Sequence, residues 1–221
     1  MTAETSSGTD ADLRAGVIAV QGNVSEHAAA IKRAASENGF SVIVEQIRQA
    51  GVVPNCDLLL LPGGESTTIS RLLKREGIDA EIKQHVAAGK PILATCAGLI
   101  VSSSDAKDDR VTTLDILDVT VDRNAFGRQK DSFEAPLSID GIDDPETPFP
   151  AVFIRAPLID AIGDDVSVLA WWDENPVAVR QGPVLATSFH PELTPDDRLH
   201  RLAFFAEEII TDSPVHPETD V

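Results

Sequence analysis

The chain has 221 residues, of which 43% are hydrophobic, so it can bury a core and is short enough for a single domain. Its formal net charge of −18, from 36 acidic and 18 basic residues, argues against binding to nucleic acid or to an anionic membrane. Two cysteines are too few for a disulfide framework, which fits a reducing compartment, and we predict a cytoplasmic protein.

The two ends of the chain differ in composition from its body. Residues 1–12 are polar and carry acids where a secretory signal has basic and then apolar residues. We predict disordered tails at 1–12 and 212–221 and a single domain at 13–211. The longest weakly polar stretch, 91–101, is much shorter than the roughly 20 apolar residues of a membrane span, so no membrane insertion is expected.

The first half alternates between strand-like and helix-like segments. Apolar runs at 16–20, 40–47, 57–62 and 91–96 predict four strands. A helix is predicted after the first run, with Ser25 as its N-cap and Gly39 as its C-terminal stop. Two further helical stretches follow the third run and end at Gly89. This alternation indicates βαβ units.

From about residue 114 the pattern changes to closely spaced strands. They are predicted at 114–121, 132–139, 151–157, 166–172, 177–181 and 184–189, the last two joined at Gly182-Pro183, and a helix at 194–210 follows them. Together the elements predict an α/β three-layer sandwich with a mixed, mostly parallel, flavodoxin-like sheet. In such folds the functional site lies at the carboxyl ends of the parallel strands.

Cys96 lies where the predicted strand 91–96 runs into a helix-like segment, among small residues. This is the setting of a nucleophile elbow, in which a helix N-terminus favours the thiolate and the following N–H can face an oxyanion. The alternative is a buried core cysteine. The turn around Cys96, and the partners described next, favour a nucleophile.

His190 follows the predicted strand 184–189 in the segment SFHPEL. Pro191 biases His190 towards an extended backbone, in which the side chains of His190 and Glu192 project to the same side. One carboxylate can then orient one imidazole, as in an activated Cys-His-Glu triad. The alternative is a surface His-Pro turn beside a solvated glutamate.

Three other histidines lie in segments that do not suggest a functional site. His85 and His200 lie within helical patterns and are predicted to face solvent, and His216 lies in the predicted tail. No His, Cys or Asp cluster has zinc-like spacing, so we predict no metal.

Residues 63–66 (GGES) form a glycine turn between a predicted strand and a predicted helix. Bare backbone N–H groups in such a turn can hold an anion or shape an oxyanion hole, although two glycines after a strand usually only make a turn. The segment lacks the Lys-Ser/Thr of a P-loop, which argues against nucleotide binding.

The segments LLLLPGGES, ATCAGL and SFHPEL, in that order, resemble the class I (triad) glutamine amidotransferase domains. The resemblance is closer still to the family of glutaminase subunits of pyridoxal 5′-phosphate synthase. It rests on AVQGNVSEH, LPGGESTTISRLL, TCAGLI, VDRNAFGRQKDSFEAPL, VFIRAP and SFHPELT, and it covers nearly all of residues 15–210.

This resemblance implies that the chain hydrolyses L-glutamine through a thioester on Cys96, with His190 moving the proton and Glu192 orienting it. It implies no cofactor, oxyanion donors at the Gly63/Gly64 peptide and at Ala97, and a partner, the barrel-shaped synthase subunit that receives the ammonia. The implied glutamine-binding residues are Gly64, Glu65, Ser66, Arg123, Ile154 and Arg155, although Arg155 is also compatible with a structural ion pair.

Two other functions compete with this one. The chain could be a glutaminase serving another synthase, such as that of histidine biosynthesis, against which GRQKDSFEAPL and the compact size argue. It could also be a non-catalytic regulatory subunit, against which the complete set of Cys96, His190 and Glu192 argues.

The excess of acids over bases is typical of a protein from a salt-rich cytoplasm, because few of the acids lie in the motifs and most must lie on the surface. An ordinary acidic protein is the alternative.

Overall fold

The computed structural model describes residues 11–123 and 132–206. Predictions for residues 1–10, 124–131 and 207–221 lie outside this part of the chain, including most of the N-terminal tail, the end of the helix predicted at 194–210, and the whole C-terminal tail with His216. Within the described ranges the helices are α1 (Val24–Glu37), α2 (Ser66–Glu76), α3 (Ile78–Ala87), α4 (Ala97–Ser102) and α5 (Arg198–Phe204). The strands are β1 (Leu13–Ile18), β2 (Val42–Ile47), β3 (Leu58–Leu61), β4 (Ile92–Thr95), β5 (Ser103–Asp105), β6 (Leu117–Asp122), β7 (Phe133–Leu137), β8 (Phe149–Phe153), β9 (Leu158–Ile162), β10 (Ser167–Trp172), β11 (Asn175–Gln181) and β12 (Val184–Thr187).

A seven-stranded sheet forms the centre of the fold, in the order β10-β11-β12-β4-β3-β1-β2. The five strands from β12 to β2 run parallel, whereas β11 and β10 are antiparallel additions at one edge. Two smaller sheets contain β5, β6 and β9, and β7 and β8. The mixed, mostly parallel sheet that the sequence predicts is therefore confirmed.

Both faces of the central sheet are covered, because its inner strands are apolar on both sides. In β3, Leu59 and Leu61 pack into one core together with Ile69 of α2, and Leu58 and Leu60 pack into a second core with residues of α1. Removal of this apolar surface from water stabilises the layers. The result is the predicted three-layer sandwich. No helix in the described ranges has the length and hydropathy to cross a membrane.

The boundaries near the N-terminus differ from the prediction. Asp12, predicted to lie in the tail, accepts hydrogen bonds from the backbone and hydroxyl of Ser41, and β1 begins at the next residue. The predicted N-cap at Ser25 is wrong: α1 begins at Val24, and the Ser25 hydroxyl donates to Glu26 within the first turn. The predicted stop is confirmed, since Gly39 follows the helix with φ +79°.

In the second half, all six predicted strands form, and β5 and β9 form where none was predicted. β5 is a short polar segment that pairs with β6, so it has no apolar pattern of its own. The predicted helix at 194–210 begins only at Arg198. Before it, the side chain of Asp196 accepts from the backbone N–H of Arg198 at 3.1 Å and holds a turn.

The expectation that His85 and His200 face solvent is wrong. They are 4% and 0% exposed, because the helix faces that carry them pack against the rest of the fold. His85 Nε2 lies 3.2 Å from the carbonyl oxygen of Pro91, and burial lowers the pKa of His85 to about 4. A single polar residue in a helical pattern does not show whether the helix face that carries it points to solvent or to the core.

Candidate active site

Cys96 occupies a tight turn between β4 and α4. Its backbone has φ 52° and ψ −108°, a conformation that is costly for a residue with a side chain and must be held by its surroundings. The Cys96 N–H donates to the carbonyl oxygen of Thr187 on the neighbouring strand at 2.8 Å. The side chain is mostly buried, and its sulfur faces the carbonyl oxygen of Ile154 at 3.8 Å.

His190 and Glu192 meet directly after β12. The backbone N–H of His190 donates to Val152 of β8 at 2.8 Å, and its Nδ1 lies 2.8 Å from Oε1 of Glu192. The sequence predicts that the two side chains meet along an extended chain. They meet instead across a 3-10 turn at Pro191–Leu193. Glu192 is 4% exposed, so the contact is shielded from water.

The charges of this pair depend on one another. Burial disfavours the charged form of His190, but hydrogen bonds to Cys96 and Glu192, together with their charges, outweigh burial and raise the pKa of His190 to about 10. Burial likewise opposes ionisation of Glu192, but the hydrogen bond from His190 and the neighbouring imidazole of His27 lower the pKa of Glu192 to about 2. The structure thus favours an imidazolium next to the Cys96 sulfur.

Two residues of the chain's first loop and helix support Glu192. Asn23 Nδ2 donates to Oε1 of Glu192 at 3.0 Å, and His27 Nε2 lies 3.5 Å from Oε2. Neither residue has a role predicted from the sequence. The only signal was that both lie within AVQGNVSEH, one of the stretches on which the family resemblance rests.

The glycine turn lies directly against this group. A Cβ at Gly63 would lie 2.8 Å from Cε1 of His190 and 3.2 Å from Cβ of Cys96, so only glycine fits there without displacing them. Gly64 has φ +146°, and the next N–H, of Glu65, donates to the side chain of Gln21 at 2.8 Å. The turn therefore presents backbone, and no side chain, to the sulfur.

The Glu65 carboxylate caps α2. It accepts from the N–H groups of Thr67 and Thr68 and from the Thr68 hydroxyl at 2.7 Å, and these hydrogen bonds, that with Thr68 first, lower the pKa of Glu65 to about 2. Arg123 crosses the same helix start, where Nη1 donates to the hydroxyls of Ser66 at 3.2 Å and Thr67 at 3.0 Å. An ion pair with Asp108 at 3.2 Å also holds Arg123.

These elements surround a cavity of about 370 Å³. Every residue that the resemblance assigns to glutamine or to the oxyanion lines it, and Glu192 lies behind His190. The lining is Gly22, Asn23, Gly63, Gly64, Glu65, Ser66, Cys96, Ala97, Ile100, Arg123, Ile154, Arg155 and His190. Arg155 forms no ion pair with any residue in the described ranges. Among those residues there is also no group of three or more His, Cys, Asp and Glu placed to hold a metal.

Three of the known proteins that are similar to this chain carry the same name. The chain is 70% identical over 196 residues to the protein named "Pyridoxal 5′-phosphate synthase subunit PdxT" of Haloquadratum walsbyi, covering 89% of this chain and 94% of the relative. The protein of the same name from Halobacterium salinarum is 75% identical over 193 residues, with 87% and 94% covered. That of Methanosarcina barkeri is 50% identical over 201 residues, with 89% and 98% covered.

Solved structures share the architecture. One, titled "Crystal structure of glutamine amidotransferase", superposes with a TM-score of 0.74 at 41% identity, covering 86% of this chain and 98% of that one. PurLQS from Thermotoga maritima superposes with a TM-score of 0.57 at 17% identity over 86% and 96% of the chains, which is a likeness of fold alone. Residues 17–211 match the family described as "SNO glutamine amidotransferase family". The chain belongs to the SNO glutamine amidotransferase family.

Proposed function

We propose that the chain hydrolyses L-glutamine to L-glutamate and ammonia with Cys96 as nucleophile, and that the ammonia serves pyridoxal 5′-phosphate synthesis. One observation carries the proposal: Cys96 stands on a strained turn in a cavity beside His190, whose Nδ1 lies 2.8 Å from the buried Glu192. A nucleophile, a base and an orienting carboxylate in this arrangement suit acyl transfer.

The reaction proceeds in two steps. The Cys96 sulfur attacks the side-chain amide carbon of glutamine, His190 gives a proton to the departing nitrogen, and ammonia leaves a γ-glutamyl thioester. A water molecule then gives a proton to His190 and attacks the thioester, which releases glutamate and restores the thiolate and imidazolium. Glu192 keeps the Nδ1–H of His190 oriented and stabilises the imidazolium in both steps.

The oxyanion of each tetrahedral intermediate needs backbone donors, for which we propose the N–H of Ala97 and the Gly63/Gly64 peptide. Both adjoin Cys96, and the close approach of Gly63 to His190 and Cys96 leaves no side chain in the way. Glycine peptides reorient at little cost, so docking of a partner is a physical means of completing the oxyanion hole.

The glutamine-binding residues that we propose are Gly64, Glu65, Ser66, Arg123, Ile154 and Arg155. Arg155 suits the α-carboxylate of the substrate, because its guanidinium lines the cavity without an ion pair to the described residues. The Glu65 carboxylate is committed to capping α2, so its part is to shape the loop.

The proposed partner is the synthase subunit that consumes the ammonia. The proteins that are 70% and 75% identical to this chain carry the name of a pyridoxal 5′-phosphate synthase subunit, which is why we propose this synthase in place of another. We further propose that the complex works in the cytoplasm, since the two cysteines of the chain are free.

Glutamate release, measured with and without the cognate synthase subunit, tests the proposal. We expect low release from the isolated chain and a large increase when the synthase subunit is added, because free ammonia would otherwise be wasted. Full activity of the isolated chain contradicts the partner dependence, and no release in either state contradicts the function. Stimulation by a histidine-biosynthesis synthase instead would favour the rival glutaminase.

A further inference from the structure

Glu192 belongs to a buried polar cluster on the side of the triad away from the cavity. We call it the histidine cluster, and its members are His27, Thr95, Glu192 and His200. These residues are 0%, 0%, 4% and 0% exposed. His27 lies on α1, His200 lies on α5, and Thr95 ends β4 immediately before Cys96. Polar groups buried this deeply lower the free energy of unfolding unless they are hydrogen-bonded or paired, so the cluster needs a physical explanation.

The position of the proton on His27 follows from its contacts. Nε2 lies 3.2 Å from the Thr95 hydroxyl and 3.5 Å from Oε2 of Glu192, whereas Nδ1 is buried without a hydrogen-bond partner among the described residues. A proton on Nδ1 would leave a buried donor unpaired, which is rarer in proteins than an unpaired acceptor. The proton therefore belongs on Nε2, where it faces Thr95 and Glu192.

Burial keeps His27 neutral, although titratable groups of both kinds, acidic and basic, face it. They are Glu192 and His190, Glu26 on its own helix, and His200 of α5. Burial outweighs the attraction of Glu192 and lowers the pKa of His27. The His200 ring packs edge-on at 6.0 Å and offers no hydrogen bond within the described part of the chain, so His27 uses its Nε2–H on the triad side.

We propose that His27 is a positioning residue of the Cys96-His190-Glu192 triad, a proposal that rests on the function proposed above. Its Nε2 lies 3.5 Å from Oε2 of Glu192, a buried oxygen that has no hydrogen bond among the described residues, while Asn23 and His190 hydrogen-bond to Oε1. Without His27, this buried carboxylate oxygen would lose the N–H that lies 3.5 Å from it, and Glu192 would take up a proton more readily. A protonated Glu192 no longer stabilises the imidazolium of His190 beside Cys96.

Three variants of the full chain at His27 and one control test this role. His27→Leu removes the donor, His27→Gln places an amide N–H near Nε2, and His27→Asn places it near Nδ1. His85→Gln removes another buried histidine whose Nε2 contacts the carbonyl of Pro91, away from the cavity. Each protein is assayed for glutaminase kcat and KM with the cognate synthase subunit, and for the rate of Cys96 alkylation by iodoacetamide, both across pH.

We expect His27→Leu to lower kcat by about 10-fold, because a buried carboxylate oxygen loses a nearby N–H, with little change in KM. The acid limbs of the kcat/KM and alkylation profiles should move to higher pH, because Glu192 is then protonated more easily. His27→Gln should restore most of both properties, His27→Asn should resemble His27→Leu, and His85→Gln should keep the parental profiles.

A His27→Leu protein that folds and keeps the parental acid limbs overturns the proposal. So does an equal loss of kcat in His85→Gln, which would show a general packing effect. If His27→Leu does not fold, the pH profiles of His27→Gln and His27→Asn test the proposal instead. Equal profiles for these two variants overturn the proposal. A parent that releases no glutamate refutes the proposed function separately, since the alkylation profiles still report how His27 affects Cys96.

Discussion

Individual side chains decide which cysteine can react. Cys56 is fully buried in the apolar core, where burial raises the pKa of its thiol to about 11, and the sulfur hydrogen-bonds to the carbonyl of Val52 at 3.6 Å. Cys96 instead lines the cavity next to His190. A thiol needs a base and access to substrate to act as a nucleophile, and Cys96 has both.

We therefore predict that Cys96→Ala abolishes glutamate release, while Cys56→Ala keeps most of it. The Cys56 variant is the matched control, because it removes the same chemical group from a buried site. Glutamate release with the cognate synthase subunit measures the difference. Covalent labelling of Cys56, and not Cys96, by an electrophilic glutamine analogue would show that the site is assigned wrongly.

At the scale of secondary-structure elements, the turn at Cys96 depends on how closely α4 approaches β3. A Cβ at Gly98 would lie 2.2 Å from the carbonyl oxygen of Leu61, so glycine is what allows the contact. Because the clash would be with backbone, a side chain here must displace the helix that follows Cys96. The geometry of the sulfur is thus tied to the packing of a whole element.

Gly98→Ala should destabilise the fold by about 1–3 kcal/mol through overpacking, and should lower glutaminase kcat because Cys96 moves with α4. Gly89→Ala is the control: its Cβ would meet nothing within 4 Å, although φ +77° imposes a local strain of about 1 kcal/mol. Urea unfolding and glutamate release check both variants. Equal kcat in the two proteins would contradict the link between α4 packing and the site.

At the scale of the whole molecule, the net charge of −18 creates self-repulsion that salt can screen. The Debye length is about 30 Å at 0.01 M salt, comparable to a small domain, and about 3 Å at 1 M. Relatives of this chain include proteins of Haloquadratum walsbyi and Halobacterium salinarum, whose sequences are 70% and 75% identical to it. We therefore expect adaptation of the acidic surface to a salt-rich solvent.

Thermal melts in KCl from dilute to molar should show a midpoint that rises with salt, because screening relieves repulsion in the folded state. A double variant, Asp164→Lys with Asp165→Lys, changes two exposed acids in the turn between β9 and β10 and should show a weaker dependence on salt. A parental midpoint that stays flat or falls with KCl would favour an ordinary acidic protein and leave the glutaminase proposal untouched.

Much of the fold could be predicted from the sequence because its signals are local. Continuous apolar runs such as that of β3 indicate strands covered on both faces, and they alternate with helical segments. The segments around Cys96 and His190 are equally local, and the family resemblance implies that the Gly63/Gly64 turn meets Cys96, which agrees with its place in the cavity lining. The strand β5 could not, since it is polar and forms only through its pairing with β6.

What the sequence by itself determined was the layer architecture and the family resemblance, which in turn implied most of the residues that line the cavity. The tertiary structure alone decided the burial of His85 and His200 and the support of Glu192 by residues far away in the chain. Asn23 and Glu192 are 169 positions apart, yet their side chains lie 3.0 Å apart. Local patterns show that a helix is present and approximately where it lies, but which of its faces meets the sheet, and which residues pack against that face, depends on contacts between distant segments.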